Sequence, residues 1–368
     1  MYRKIINIIK SYSLIRLRFD FPKKNKLLLF DEIHSIMLRE IIKKDFNILE
    51  VRNKKIYFWI YIKQIIFFDL SFKTYCKNYI KFTSPKVIIT LNDARFQMYE
   101  LKSSFKEIYF ISVMNGLRFG HWFNKMKNHF PNKFNGDYFF LLNRYYIPQY
   151  QKLINSKYHV LGHFRNNSVK VKKTKFHKQF LFISQTFDVK KEVNFHNKLL
   201  KFVNLYLSNS NRKIHILLRR KKVNPLQQEE IDYYKKIFKS NCVFHQNEQW
   251  EKKYEILDKF ENIIFTLSTM GFEAIARKKK VANFMPNNFK GSNLYFGWPA
   301  PYQKENDFFS TNNLTYNEVS RVLKNIDNCS QNNWNKKYYS AIKDKFYLDE
   351  NNKKLRNLIL KLIKIKKI

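Results

Sequence analysis

The sequence predicts an α/β protein made of two doubly wound halves, and three observations carry that prediction. Short, continuously apolar runs alternate with longer stretches that are apolar at helical spacing, the pattern of parallel strands joined by crossover helices. The alternation is interrupted by a charge-rich stretch at 165–178 and then restarts. The 368 residues, 45% apolar and 17% aromatic, are enough to fill two cores of ordinary domain size.

In the first half, the run at 26–30 reads as a strand, 33–42 as a helix and 47–51 as a second strand. The runs at 86–91 and 108–113 read as buried strands, because parallel strands covered on both faces are apolar throughout. Strands at 137–142 and 158–161 complete this half. The second half opens with a strand at 180–184 and a helix over 193–207. There follow a strand at 213–218, a helix over 228–238, a short strand at 243–244, a helix over 250–260 and a strand at 262–267. A helix beginning after Ser268 and a strand at 280–284 close the series. The expected organisation is therefore a domain over 1–170, a domain over 171–335 and a basic helical tail over 336–368. In the tail, Leu355, Leu358, Leu362 and Ile365 repeat at helical spacing among lysines. That pattern fits a terminal helix packed on the protein, or a basic amphipathic helix lying on an anionic membrane.

Seventy Lys and Arg residues against 29 Asp and Glu give a formal charge of +41. The lysines are spread from end to end among Asn, Ile, Phe and Tyr, as an AT-rich coding bias would produce. The charge favours anionic partners, whether phosphates, acidic glycans or an anionic leaflet, but no nucleic-acid recognition module accompanies it. Cys76, Cys242 and Cys329 are widely separated and odd in number, which points away from a disulfide framework or a metal set and toward a reducing compartment. The first ten residues carry charges throughout and do not resemble a signal peptide. The longest apolar run, 56–70, contains Lys63 and Gln64 and is too short to cross a bilayer. The expected location is cytoplasmic, with peripheral contact at the inner face of the membrane.

The stretch 265–284 carries the most chemistry. Ser268 and Thr269 stand at a helix start, where orphan N–H groups and the macrodipole form an anion seat. Gly271 would let a ligand approach the backbone, and Glu273 could accept hydrogen bonds from sugar hydroxyls. An ordinary N-cap would need only one of the two hydroxyls. Ligands of open α/β sheets sit beyond the carboxyl ends of strands. This adds Ser184 and Gln185, and Arg219 as a cation for a diphosphate, although a run such as 219–222 also suits a solvated loop. On the first half, Asn115, Gly116 and Arg118 follow a strand and form an acceptor-side candidate; Asn-Gly is also the commonest turn pair. Asp93, Glu32 and His34 are candidate bases for an acceptor hydroxyl, and the neighbouring Asp31 fits either that role or a helix cap. There is no GxGxxG, Walker loop, HExxH or nucleophile elbow, and no metal ligand set or separate cofactor is expected.

The segment Ser268-Thr-Met-Gly-Phe-Glu-Ala-Ile-Ala-Arg-Lys-Lys-Lys-Val281 resembles the S-T-x-G-x-E-A-x-x-x-G-K-x-V segment of bacterial surface-polysaccharide glycosyltransferases, in particular lipopolysaccharide or capsule biosynthesis proteins. Similar landmarks occur here in the same order at 89–93, 110–118, 160–167 and 182–185, so the resemblance covers roughly 27–285. It implies a GT-B fold of two facing Rossmann-like domains, the N-terminal one on the acceptor side and the C-terminal one binding a nucleotide-sugar. By that resemblance Ser268, Thr269 and Gly271 hold the donor phosphate, Glu273 holds ribose or sugar hydroxyls, and no catalytic metal is needed. Two departures stand out: Lys279 where the helix-ending Gly is usual, and Met114 where Gln often precedes Asn-Gly. The implied activity is sugar transfer to a growing or lipid-linked surface glycan. Polyol-phosphate transfer of the CDP-glycerol type is the alternative within the same chemistry, and a basic nucleic-acid-binding protein the alternative outside it. A nucleotide-sugar epimerase shares the fold, but its Asp-Ser-Gly-Gly seat is not evident.

Overall fold

A computed structural model describes residues 16–364, except 52–54, 67–68, 70, 119, 131, 173–176, 186–189, 248, 267, 285–307 and 340–345. In chain order the strands are β1 (Arg16–Arg18), β2 (Leu27–Phe30), β3 (Asn47–Leu49), β4 (Lys55–Tyr57), β5 (Val87–Thr90), β6 (Tyr109–Val113), β7 (Phe134–Leu141) and β8 (Ile154–Val160). They continue with β9 (His177–Ile183), β10 (Ile214–Lys221), β11 (Cys242–Asn247), β12 (Phe260–Phe265), β13 (Lys280–Phe284) and β14 (Ser310–Thr311). Two six-stranded sheets result, ordered β3-β2-β5-β6-β7-β8 and β11-β10-β9-β12-β13-β14, and every recorded pairing is parallel. β1 and β4 form a separate parallel pair.

Chain contacts divide the molecule into two units. One comprises Met1–Asn115, Lys127–Ser168 and Asp349–Ile368; the other comprises Gly116–Met126 and Val169–Leu348. The main break falls between Ser168 and Val169, and Asp349–Ile368 is grouped with the first unit. The helix Lys353–Lys364 buries Leu355, Ile359, Leu362 and Ile363, packing near the helix Ser35–Ile42 and β5. Of the expected stripe, Leu355 and Leu362 are buried against protein and Leu358 is half-buried, while Ile365 lies outside the described residues.

Parallel strands need covering on both faces, and their sequences show it. Leu27, Leu28, Leu29 and Phe30 of β2 are all buried, as are Val87 to Thr90 of β5 and every residue of β13. The second core gathers Phe180, Phe182, Ile216, Leu218, Ile263, Phe265 and Val281 between flanking helices. The elements beyond the sequence reading include the short β1, β4 and β14 and the helices Phe72–Thr83, Phe96–Lys102, Gly120–His129 and Tyr316–Asn328. The last helix begins on a Thr-x-x-Glu capping pattern, with Thr315 Oγ1 accepting the Glu318 N–H at 3.3 Å. Among the described residues no helix is long and apolar enough to cross a membrane; the expected apolar run instead contains the helix Phe58–Ile66.

Each sheet reverses its winding direction once, between β2 and β5 in the first and between β9 and β12 in the second. The loops leaving such a pair of strands diverge and open a crevice at their carboxyl ends. Those four loops carry Glu32, His34, Asp93, Ser184, Gln185 and Ser268 of the predicted site residues.

Candidate functional site

On the first unit, the loop after β2 turns sharply, with Asp31 at φ 78° and His34 at φ 57°. Asp31 is buried and pairs with Arg95 at 2.5 Å, so it braces the loop; the helix Ser35–Ile42 has no side-chain cap. Glu32 is half-buried and accepts the Val51 N–H at 3.1 Å. Asp93, after β5, is completely buried. Its carboxylate accepts the Asn115 N–H at 2.9 Å and the Tyr150 hydroxyl. Asp93, expected as a candidate base, is thus enclosed, with its carboxylate engaged by the Asn115 loop and by Tyr150. His34 is half-buried, with Nε2 3.4 Å from Asn115 Oδ1 and its ring against Phe164. His163 Nε2 donates to the Asn115 carbonyl at 2.9 Å. The structure thus brings His34, Asn115 and His163 together at the strand ends, with Asp93 beneath them. His163 was not singled out from the sequence, although it follows Gly162, whose φ of 80° sets the turn. Met114, the departure noted above, is fully buried, which keeps its side chain out of any ligand contact.

On the second unit, Ser268 caps the helix Thr269–Ala276, its Oγ accepting the Met270 N–H at 3.3 Å. Ser268 and Thr269 are half-exposed at that helix start. Gly116, grouped with this unit, lies beside them: a Cβ added there would stand 3.9 Å from Thr269 Oγ1. The following Leu117 packs on the second core, and the Arg118 guanidinium lies 5.2 Å from the Trp122 ring centroid. The loops at the switch point are joined by Thr266 Oγ1 donating to Gln185 Oε1 at 3.3 Å.

Gly271 is buried, and a Cβ built on it would lie 2.0 Å from the Phe265 ring. The missing side chain lets the helix close on β12. Glu273 is buried too, and Tyr254 donates its hydroxyl to Glu273 Oε2 at 2.7 Å. The left-handed residue that ends this helix is Lys278, at φ 64°. The helix-ending Gly of the resembled segment therefore corresponds to Lys278, and the assignment to Lys279 is corrected by one position. Lys279 is instead a buried ammonium that donates to the Asp258 carbonyl at 2.7 Å; burial pulls its pKa down to about 8.

Ser184 and Arg219 are held by a residue the sequence did not point to. Glu230, buried on the helix Gln227–Phe238, accepts the Ser184 hydroxyl and the N–H groups of Arg219 (2.9 Å) and Arg220 (3.0 Å). The Ser184 hydroxyl also receives the Tyr234 hydroxyl at 3.0 Å, so this serine is turned inward. The Arg219 side chain is exposed. A second buried hub joins Arg277 and Asp258, with Arg277 Nε donating at 2.8 Å. Arg277 also donates to the Val169 carbonyl at 3.0 Å, and Asp258 accepts the Lys172 N–H at 3.1 Å, which fastens the stretch after Ser168 to the second unit. A charge pair in one helix pattern does not announce such a hub, because its partners are 19 residues apart or more. Among the described residues, no group of three or more His, Cys, Asp or Glu could hold a metal ion.

Two parallel-sheet α/β units, each with polar loops at its switch point, define a two-domain protein of the Rossmann-like GT-B class. Residues 111–363 match a family described as "putative O-antigen biosynthesis protein", and the chain belongs to that family. The fold is similar to that of a glycosyltransferase from Rickettsia africae ESF-5, at 12% identity and TM-score 0.51, covering 94% of this chain and 100% of that one. It is also similar to the UDP-GlcNAc 2-epimerase of Neisseria meningitidis bound to UDP-GlcNAc, at 11% identity and TM-score 0.55, covering 91% and 99%. The wall teichoic acid polymerase TagF aligns at 12% identity and TM-score 0.50, covering 93% and 89%. No curated protein matches the sequence.

Proposed function

We propose that the protein is a glycosyltransferase that moves a sugar from a nucleotide-sugar donor to a surface-polysaccharide or lipid-linked glycan acceptor. The observation that carries this reading is the switch point of the second unit, where the Ser268-capped helix start adjoins the Gln185–Thr266 tie. Orphan N–H groups and the helix dipole there suit a donor diphosphate, and Arg219 adds a cation near the carboxyl end of the neighbouring strand β10. Glu273, held in one orientation by Tyr254, would accept hydroxyls of the ribose or sugar. On the first unit, His34 is the candidate base that the strand-end cluster leaves half-exposed, with Asn115 and His163 positioning it and the acceptor. The departing diphosphate would be stabilised by the helix N-terminus and cations, without a catalytic metal. Membership of an O-antigen biosynthesis family supports a glycan acceptor.

A panel of nucleotide-sugars and CDP-glycerol, screened by thermal stabilisation, tests the donor class, because a ligand that binds only the native state raises apparent stability. With the donor found, Glu273→Gln should lower kcat/KM at least about tenfold, about 1.4 kcal/mol, while leaving the melting temperature close to wild type. Turnover should persist in EDTA. Wild-type donor kinetics in the variant would remove the donor assignment. Stabilisation by CDP-glycerol alone would move the reading to polyol-phosphate transfer, and conversion of UDP-GlcNAc without an acceptor would move it to epimerisation.

A further inference from the structure

Among the described residues of the first unit, a cluster of large apolar side chains lies exposed. Leu17 is 48% exposed, Phe19 64%, Phe21 57% and Trp59 42%. They form one patch. β1 carries Leu17 alongside β4, which runs directly into the helix Phe58–Ile66 bearing Trp59. Phe21 stacks on Trp59 and on Phe82, with centroids 6.0 and 5.6 Å apart, and Phe19 meets Phe58 at 5.3 Å. The Trp59 indole donates to the Phe19 carbonyl at 2.6 Å, which fixes the ring in place. Contiguous apolar surface of this kind marks an interaction site, whereas scattered exposed residues do not.

The surroundings identify what covers it. Arg16, Lys23, Lys24 and Lys81 are exposed and adjoin the patch in sequence, and the local carboxylate of Asp20 is engaged by Arg18 at 2.7 Å. Large apolar side chains including a Trp, bordered by Lys and Arg, are the composition that buries its apolar surface at the headgroup boundary of an anionic leaflet. A protein partner of comparable size would need a carboxylate-rich face around an apolar centre, and a second copy of this chain would bring the same cations into opposition.

We infer that the surface formed by Leu17, Phe19, Phe21 and Trp59, with its rim of Arg16, Lys23, Lys24 and Lys81, docks the first unit on an anionic membrane. The rings enter the headgroup region and the cations pair with lipid phosphates. This replaces the terminal helix as the membrane-facing element, since that helix spends its apolar side chains on the protein core. Docking here requires no donor, so its outcome is independent of the transferase reading.

The test is co-sedimentation of the full chain with vesicles of phosphatidylcholine alone and of phosphatidylcholine and phosphatidylglycerol in equal parts. Binding should require the anionic lipid and weaken with salt. The double variant Phe21→Ala/Trp59→Ala should lose at least about tenfold in partition, and each of Lys23→Gln and Lys24→Gln about fivefold. Trp59→Phe should still bind but lose the blue shift and the quenching by brominated lipid that Trp59 contributes. All four side chains are exposed, so the variants should melt like wild type. Three results would overturn the inference. They are equal binding by wild type and the double variant, loss of binding on Lys361→Gln with the patch intact, and a wild-type dimer that the double variant converts to monomer.

Discussion

Gly271 shows how one missing Cβ decides a local structure. The Phe265 ring occupies the space a side chain would need, at 2.0 Å from the nearest ring carbon. Gly271→Ala must therefore push the ring off or tilt the helix away from β12, and overpacking of this severity costs about 2 kcal/mol or more. Phe265→Leu removes the ring edge, so the alanine should cost measurably less in that background; urea midpoints of the four-member cycle give the coupling. Equal costs in both backgrounds would mean that Gly271 is needed for another reason. From the sequence, the Gly three residues beyond Ser268 suggested the position but not its cause, since ligand approach and ring packing leave the same letter. Ser184 and Asp93 were only partly legible in the same manner. Both follow strands, as ligand-binding residues do, but their side chains point inward to Glu230 and to Tyr150. Inward or outward is a matter of tertiary placement that strand-end position does not encode.

At the scale of elements, the helix Lys190–Ser208 is seated by a buried histidine. His196 is 1% exposed, its ring edge-on to Phe182 of β9 and near Tyr234, whose hydroxyl lies 3.4 Å from Nε2. Burial depresses its pKa from 6.5 to about 3. The sign follows directly. Below pH 6.5 the unfolded chain takes up a proton that the folded chain refuses, so the unfolded state binds more protons and folding weakens as pH falls. The contribution is complete above pH 6.5 and is lost between 6.5 and about 3, at up to roughly 1.4 kcal/mol per unit. His196→Phe should flatten the acid limb of a denaturation midpoint plotted against pH; an unchanged limb would rule this group out. Elements of this kind were legible where an apolar run matched uniform burial: β2 is apolar throughout and β5 up to Thr90, as a strand buried on both faces requires, while the equally buried β13 carries Lys280 and Asn283 within it. The helix Phe72–Thr83 was less legible, because Tyr75 and Tyr79 on its buried face read as polar. β14, at two residues, is too short to show any period. The candidate sites were legible as strand-end loops, while the residues that hold them, Glu230, Tyr254 and His163, lie on other elements and required the fold.

For the whole molecule, the chain's return to its first unit matters most. Leu355, Ile359, Leu362 and Ile363 are buried there, and Asn352, fully buried at φ 49°, donates to the Phe164 carbonyl and the Ser168 hydroxyl, both at 3.0 Å. Asn167 donates to Asn352 Oδ1 at 3.0 Å, and Asn167 Oδ1 accepts the Asp349 N–H at 3.1 Å. Four buried aliphatic side chains at about 1.5–3 kcal/mol each give an upper estimate of about 6–12 kcal/mol. That range is comparable to the net stability of a whole domain. Deleting residues 349–368 should therefore cost the first unit its cooperative fold. The second unit, whose core draws on none of these residues, should keep its own. Amide exchange read by peptide resolves the two: protection should collapse over 27–113 and 134–160 and persist over 177–284. Equal loss in both ranges, or none in the first, would contradict the assignment of this helix to the first unit. A selective collapse would establish that the N-terminal sheet, with its His34, Asn115 and His163 cluster, is completed by the last helix of the chain.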